Sequence, residues 1–282
     1  MRFVDIKNDI AFRKIFGNEN KKEILISFLN AALKLENQNR IKSLTLLNPF
    51  QLPKIKGSKV TVIDVKATDD KGSVFIIEMQ FTDKKGLDKR IQYYGAKGYS
   101  SQIDNGDEYL KLKPMIFIGI LDFEYFDSLN FISRHLIMDC ETGERKFKDL
   151  EFNFIELQKF NKGINQLDNL IDKWIYFIKN SGNLEVIPEN TDDNGLLTAY
   201  NDAEKHNWTK EELEEYEYAQ MREQDEKGEI QLAEERARGQ AKEQEKIDTV
   251  LRLNKNGVSI EIIALSTEFA IERVKEILKI SN

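Results

Sequence analysis

The sequence predicts a mixed α/β fold, with a central sheet flanked by helices and a charged helical C-terminal extension. Segments with helical spacing of apolar residues alternate with short strand-like runs over residues 1–180. The run 114–121 is apolar throughout and rich in β-branched residues, which indicates a buried central strand. From residue 208 onward the chain is highly charged with few apolar positions, which is typical of a solvated helix.

The N-terminal elements are predicted to be two helices and a strand. Asn8 or Asp9 can cap the first helix, which carries an apolar stripe and ends at Gly17. The second helix is predicted over residues 21–35. A short strand is expected over residues 41–47, ahead of a hairpin that spans about residues 59–82.

The hairpin is expected to close through a three-residue loop. A left-handed Gly72 is typical of such a loop, which would pair Asp69 with Ser73. The same register places Asp64 directly opposite Glu78. Opposed carboxylates on a sheet repel each other, so a cation between them would explain why the fold keeps this pair.

The carboxylate face of the hairpin has two interpretations. A half-exposed hairpin with a solvated polar face would account for the charges without any ligand. Against this, the opposite face is strongly apolar and the carboxylate face is partly apolar, so both faces are predicted to be buried. Buried charges are paired or bound to a metal ion, which favours a cation site at Asp64 and Glu78.

The segments after the hairpin complete the predicted α/β domain. They are a helix over residues 88–102, the central strand 114–121, strands at 135–138 and 152–157 joined by a turn at 142–143, and an amphipathic helix over 164–178. Near the C-terminus, a helix is expected to end at Gly257, Ser259 can cap the next, and Thr267 can open a third.

The net charge of −7 is distributed unevenly. Residues 1–180 hold 29 Lys and Arg against 25 Asp and Glu, a net charge of +4. Residues 181–282 hold 13 against 24, a net charge of −11. The mildly basic first part permits DNA binding without requiring it.

The numbers of cysteine and histidine residues limit the possible disulfides and the possible kinds of metal site. Cys140 is the only cysteine, which excludes an intramolecular disulfide and fits a reducing cytoplasm. The sequence shows no membrane-spanning apolar run and no secretory signal, so we expect a cytoplasmic protein that binds no membrane. His135 and His206 are far apart, which favours a hard cation held by carboxylates over a Cys/His zinc site.

Three motifs together resemble a known family. They are the opening segment 8–17, the order Asp64 followed by Glu78-x-Gln80, and a helix with Arg90, Tyr94, Tyr99 and Gln102. The chain resembles the Rpn family of recombination-promoting nucleases, also described as transposases, within the PD-(D/E)xK superfamily. Gln80 stands where most of the superfamily has Lys, as in the Rpn variant.

The resemblance implies a restriction-endonuclease-like fold, and the shift in composition toward the C-terminus predicts a division of the chain. Residues 1–195 would form the nuclease domain, 196–253 a charged helical connector, and 254–282 a small helix-turn-helix-like tail. The implied activity is that of a DNA endonuclease dependent on Mg²⁺ or another divalent cation such as Mn²⁺. It would act in recombination, mobile-element biology or phage defence.

The resemblance and the residue chemistry assign roles at the site. Asp64 and Glu78 can hold the cation jointly, and the family pattern adds the main-chain carbonyl of Met79. Gln80 can orient a water by hydrogen bonding, although it carries no positive charge and cannot act as a base. Lys66 could supply that charge, with a surface lysine as the simpler interpretation.

Further candidates come from two helices. In the superfamily an early helix often places an acidic residue near the metal, and Asp9 fits this role or that of a helix cap. Tyr94 and Gln102, with Tyr99, are expected to back the site from the helix after the hairpin, with a core role favoured for the tyrosines.

A second reading of the whole chain is a catalytically weak nucleic-acid-binding or regulatory protein. Its helical C-terminal region would then mediate assembly, for example as a homo-oligomer. The same region could instead bind DNA, or its acidic charge could compete with DNA for the first part of the chain.

Overall fold

The structure is a computed structural model that describes residues 2–51, 61–80, 82–83 and 85–279. In these ranges the helices are α1 (Asp9–Phe16), α2 (Lys22–Ala32), α3 (Leu87–Ser100), α4 (Leu170–Asn180), α5 (Asn194–Ala203), α6 (Lys210–Lys255), α7 (Ile260–Thr267) and α8 (Ile271–Leu278). The strands are β1 (Leu44–Leu47), β2 (Phe50–Gln51), β3 (Thr61–Val62), β4 (Val65–Asp69), β5 (Val74–Gln80), β6 (Met115–Leu121), β7 (Ile132–Leu136) and β8 (Leu150–Glu156). The chain divides into two compact units, Met1–Gln220 and Met221–Asn282, and the division falls within α6.

A six-stranded mixed sheet forms the centre of the first unit. Its strand order is β1-β4-β5-β6-β8-β7, with β5, β6 and β8 parallel to one another and the other neighbours antiparallel. One face packs against α1, α2, α4 and α5 in a large apolar core, and the other packs against α3. The predicted mixed sheet flanked by helices, with a charged helical extension, is therefore confirmed.

The hairpin has the predicted register from its turn as far as the pair Val65 and Ile77. Val65 pairs with Ile77, the N–H of Asp69 donates to the carbonyl of Ser73 at 3.1 Å, and Gly72 has a φ of 85°. A left-handed φ of this kind is reached at little cost only by glycine. The turn therefore fixes which residues of the two strands face each other.

The first hairpin strand is broken, although the sequence predicts a continuous one. The chain leaves β5 at Asp64, and β3 pairs with β2 instead. The N–H of Ile63 donates to the carbonyl of Pro49 at 3.2 Å, which satisfies this backbone group outside the main sheet. The predicted hairpin positions 59, 60 and 81 lie outside the described residues.

The other segments of the first unit follow the prediction, except that β7 covers Ile132–Leu136 instead of the predicted 135–138, and with two further differences. The buried strand β6 is confirmed, whereas the helix predicted over 164–178 begins only at Leu170. It starts there because the side chain of Asn169 accepts a hydrogen bond from the N–H of Asp172 at 2.9 Å and so caps the helix. Helix α5 was not predicted, and it buries Leu196 and Tyr200 in the main core.

The extent of the first unit, which ends at Gln220, changes the interpretation of the acidic charge. Residues 1–220, which include α5, hold 31 Lys and Arg against 36 Asp and Glu, a net charge of −5. Residues 221–282 hold 11 against 13, a net charge of −2. Most of the excess negative charge therefore belongs to the first compact unit. The predicted boundaries at 195 and 253 stay predictions.

Truncation should distinguish the structural roles of the C-terminal segments. A chain that ends at Asn180 lacks α5 and is expected not to fold, because Leu196 and Tyr200 no longer fill the core. A chain that ends at Gln220 keeps α5 and also Tyr216, whose hydroxyl accepts a hydrogen bond from the N–H of Asp5 at 2.9 Å. It should show a cooperative thermal transition by circular dichroism, and the loss of that transition would contradict this division of the chain.

The second unit is a small helical cluster at the end of α6. Val250, Ile263, Ala264 and Val274 form its buried core. Helix α7 follows Ser259 as predicted, but the third helix begins at Ile271, because Glu268 adopts a left-handed φ of 57° and ends α7. None of the helices in the described ranges combines the length and apolar composition that a bilayer span requires.

Candidate active site

The carboxyl-terminal end of β5 brings the candidate residues together. Because β5 is an inner strand, its alternate side chains enter two different cores. Met79 packs on the face covered by α1 and α2, whereas Glu78 and Gln80 share the face covered by α3. Glu78 is only 5% exposed, so its carboxyl group is removed from bulk water.

Asp64 meets the same end of β5 through two hydrogen bonds with its neighbours. The N–H of Met79 donates to its Oδ2 at 2.8 Å, and its own N–H donates to Oε1 of Glu78 at 3.2 Å. These bonds replace the sheet ladder and explain why β4 begins only at Val65. The N–H and C=O of one strand residue point to the same edge, so the Met79 carbonyl faces the edge where Asp64 lies.

Helix α1 contributes Arg13 to this site. Its Nε and Nη2 donate to Oδ1 of Asp64 at 2.9 and 2.8 Å, and Nη2 lies 3.6 Å from Oδ2 of Asp9. Asn8, not Asp9, caps the helix by accepting a hydrogen bond from the N–H of Ile10 at 3.0 Å. Asp9 is therefore near the carboxylates and is connected to them through Arg13.

Gln80 is held from both sides of its amide. Its Nε2 donates to Oε2 of Glu78 at 3.0 Å, and its Oε1 accepts a hydrogen bond from Nη2 of Arg90 on α3. Tyr94 follows one helical turn after Arg90, and burial together with the negative charges of Glu78 and Asp64 raises the pKa of its phenol. A series of hydrogen bonds thus runs from Arg13 through Asp64, Glu78 and Gln80 to Arg90, with one arginine at each end.

Lys66 and Gln102 occupy other surroundings. Burial, with the charge of Lys97 on α3, lowers the pKa of Lys66. The side chain of Gln102 accepts from the N–H of Lys113 at 2.8 Å and donates to its carbonyl at 3.0 Å. It ties the end of α3 to the start of β6, so the structure does not bring it to the carboxylates. Tyr99 is likewise engaged elsewhere, with its hydroxyl donating to Oδ2 of Asp149 at 2.7 Å.

Burial is the largest influence on the pKa values of Asp64 and Glu78. It raises the pKa of Glu78 well above the ordinary glutamate value, and the nearby charge of Asp64 raises it further. Burial also raises the pKa of Asp64, although the N–H of Met79 and the charge of Arg13 act in the opposite direction. Without a cation, the pair therefore holds protons more tightly than separate surface carboxylates do.

The raised pKa of Glu78 predicts a pH-dependent stability. Between the ordinary glutamate pKa and the raised folded pKa, the folded protein binds more protons than the unfolded chain, so its stability falls as the pH rises. In EDTA, the thermal midpoint should fall as the pH rises above the ordinary glutamate pKa, and Glu78→Gln should reduce that fall. If the thermal midpoint depended on pH equally in the wild type and in Glu78→Gln, the titration of Glu78 would not cause the fall in stability.

The donor set at the site fits a hard divalent cation. Two buried carboxyl groups with raised pKa values lie at one point, and the carbonyl of Met79 faces the same edge. Mg²⁺ and Mn²⁺ take oxygen ligands and keep several waters, so they need few protein ligands. Asp64, Glu78 and the Met79 carbonyl are the candidate protein ligands, and the described residues contain no group of three or more Asp, Glu, His or Cys side chains that could hold a metal ion.

A family model matches most of the chain. Residues 6–233 match the model of a family described as PD-(D/E)XK nuclease family transposase. The chain belongs to this family. The match includes Asp64, Glu78 and Gln80, and it confirms the resemblance to PD-(D/E)xK transposase-like nucleases. Nucleases of the PD-(D/E)XK superfamily generally use divalent metal ions. No curated protein and no solved structure matches the chain.

Sequence reasoning did not assign a role to the two arginines of this PD-(D/E)XK site. Arg13 and Arg90, not Lys66, are the positively charged side chains that hydrogen-bond to Asp64 and Gln80. The available signal was helical spacing, since Asp9 and Arg13 are four residues apart, as are Arg90 and Tyr94. That spacing shows which side chains share a helix face but not which strand the face meets.

Proposed function

We propose that the protein is a DNA endonuclease that depends on Mg²⁺, or on a similar cation such as Mn²⁺, and hydrolyses phosphodiester bonds. The observation that supports this most directly is the linked set of Asp64, Glu78 and Gln80 at the end of β5. We further propose a cytoplasmic role in recombination, mobile-element biology or phage defence, and the word transposase in the family description supports the link to mobile elements.

The bound cation would supply positive charge at the scissile phosphate and would lower the pKa of a water molecule. Asp64 and Glu78 would hold it in their ionised forms. Their raised pKa values mean that cation binding displaces protons, so the cation should bind more weakly at low pH.

Gln80 would act as a positioning amide. Its Oε1 has a second lone pair beyond the bond from Arg90, and its Nε2 has a second N–H beyond the bond to Glu78. These two positions can orient an attacking water, but the amide cannot accept its proton. Arg90 would hold the amide in place and would add fixed positive charge near the phosphate.

The alternative function is a catalytically weak nucleic-acid-binding or regulatory protein that assembles through its C-terminal unit. Its support is the exposed apolar surface of that unit, where Leu265 and Ile262 project into solvent. Exposed apolar side chains of this kind can mark an interaction surface. A homo-oligomer formed through this unit is compatible with either function.

Plasmid cleavage in millimolar Mg²⁺ or in EDTA separates the two functions. A DNA endonuclease converts supercoiled plasmid to nicked or linear forms only with the divalent cation. A protein that shifts labelled duplex in a gel but leaves plasmid intact with Mg²⁺ and with Mn²⁺ would contradict the enzymatic proposal and favour the alternative.

A further inference from the structure

A pocket of about 280 Å³ lies on the α3 side of the sheet, apart from the carboxylates. Aromatic rings make up much of its wall. They come from the loop after β6, from β7 and from β8, and are Tyr125, Phe126, His135, Phe152 and Phe154. Pockets with this lining bind flat, apolar ligands whose polar groups lie at the edge.

The rings of the pocket already pack against one another. The ring centroids of Phe126 and His135 are 4.6 Å apart with an interplanar angle of 30°. Phe154 lies 5.0 Å from Phe126 and 5.3 Å from His135, in the latter case edge to face. A Cβ atom at Gly95 of α3 would lie 2.8 Å from the ring of Phe152, so this glycine permits the close approach of helix and ring.

A buried charge fixes the loop that carries two of these rings. Glu156 is 0% exposed, and it accepts hydrogen bonds from the N–H groups of Tyr125 at 2.6 Å and Phe126 at 3.1 Å. Nζ of Lys159 lies 2.9 Å from Oε2 of Glu156 and neutralises it. The aromatic wall is therefore pre-formed, which reduces the entropy that a ligand must overcome on binding.

Helix α3 connects this pocket to the candidate active site. Asp88, Ile91 and Gln92 line the pocket, while Arg90 of the same turns reaches Gln80. The two sites thus lie on opposite flanks of the N-terminal half of α3. A DNA strand with one phosphate at Asp64 and Glu78 can therefore extend around the N-terminal half of α3 toward the aromatic rings of the pocket.

We propose that this pocket binds an unpaired nucleobase of the DNA strand that is cut. Every base has a π face, so stacking on the rings would tolerate different sequences. The amide of Gln92 and the carboxylate of Asp88 would meet the polar edge of the base. This inference rests on the proposed function and narrows its substrate to DNA with unpaired nucleotides, such as bulges, gaps and flaps.

The test compares Tyr125→Leu with Tyr109→Leu in the full-length protein. Both changes remove an aromatic ring and keep apolar volume, but Tyr109 is 83% exposed and lies outside the pocket. Labelled duplexes, fully paired or with one bulged adenine, are titrated in EDTA so that binding is measured without cleavage. Stacking of one base contributes about 5- to 150-fold in affinity.

We expect the wild type and Tyr109→Leu to bind the bulged duplex about tenfold more tightly than the paired duplex. Tyr125→Leu should lose most of that preference while binding the paired duplex normally. The emission of 2-aminopurine in the bulge should change on binding to the wild type, a measurement that depends on no variant.

Three results would overturn the proposal. Equal affinity of the wild type for both duplexes, with no change in 2-aminopurine emission, would reject base binding while Mg²⁺-dependent plasmid cleavage still supported the nuclease. An altered oligomeric state of Tyr125→Leu, with an unchanged DNA preference, would assign the pocket to a second copy of the chain. Absence of both DNA binding and cleavage would reject the proposed function and the base pocket together.

Discussion

Asp64→Asn and Glu78→Gln are each expected to reduce plasmid cleavage by about 10³-fold or more. Each substitution replaces a carboxylate with an amide of the same shape, which keeps hydrogen-bonding capacity but removes the negative charge needed to hold a cation. In each variant the amide oxygen can still accept one bond, from the N–H of Met79 at 2.8 Å or from the N–H of Asp64 at 3.2 Å. The amide N–H2 replaces the second acceptor, which faces Arg13 in Asp64→Asn and Nε2 of Gln80 in Glu78→Gln, so the hydrogen bonding on that side is lost. The loss of a buried hydrogen bond, about 1–3 kcal/mol, is smaller than the stability of a typical domain. The fold should therefore remain, and Glu78→Gln should not lower thermal stability in EDTA, because a buried like-charge interaction is removed.

Asp70→Asn is the matched control for this experiment. Asp70 lies in the turn of the same hairpin and is exposed, so its carboxylate is distant from the buried pair. It should cleave plasmid at the wild-type rate. Cleavage by Asp64→Asn or Glu78→Gln at a rate within a few-fold of that control would remove these carboxylates from the mechanism.

Gln80→Lys is expected to lose about 10- to 1000-fold in cleavage rate, as Gln80→Ala should. From the sequence alone, this substitution restores the lysine of most superfamily members and should preserve activity. The structure reverses that expectation, because Oε1 of Gln80 accepts a hydrogen bond from Arg90. An ammonium group in that position would face a guanidinium group, and like charges in contact repel.

A charge exchange tests this explanation. Gln80→Lys combined with Arg90→Gln restores one positive and one neutral group, with their positions exchanged, and should recover much of the activity lost by Gln80→Lys alone. The two residues are in contact, so their substitutions should be strongly non-additive. A Gln80→Lys variant as active as the wild type would show that Arg90 does not set the charge of this site.

Local chemistry made much of the sheet predictable. The register of β4 and β5 follows from strand alternation and from the glycine that a tight turn requires, and both are visible in the sequence around Gly72. The continuous apolar run of β6 likewise identifies a strand buried on both faces. These features depend on residues that are close together in the chain.

The features that the sequence did not reveal depend on distant contacts. Arg13 meets Asp64 across 51 positions of the chain, and the break at Asp64 exists because its backbone and side chain bond to β5. Helix α5 is short and stable only against the core, so its local pattern gave little indication of it. The first unit also includes residues 181–220, which hold 2 Lys and Arg against 11 Asp and Glu and bring most of the acidic charge into it.

The central claim is that Asp64 and Glu78 together hold a divalent cation, and calorimetric titration tests it without DNA. Mg²⁺, and in a second series Mn²⁺, is titrated into the wild type, Glu78→Gln and Asp70→Asn near neutral pH. We expect saturable binding to the wild type and to Asp70→Asn, accompanied by proton release, and no measurable binding to Glu78→Gln. Equal affinity of Glu78→Gln and the wild type for both cations would contradict the claim.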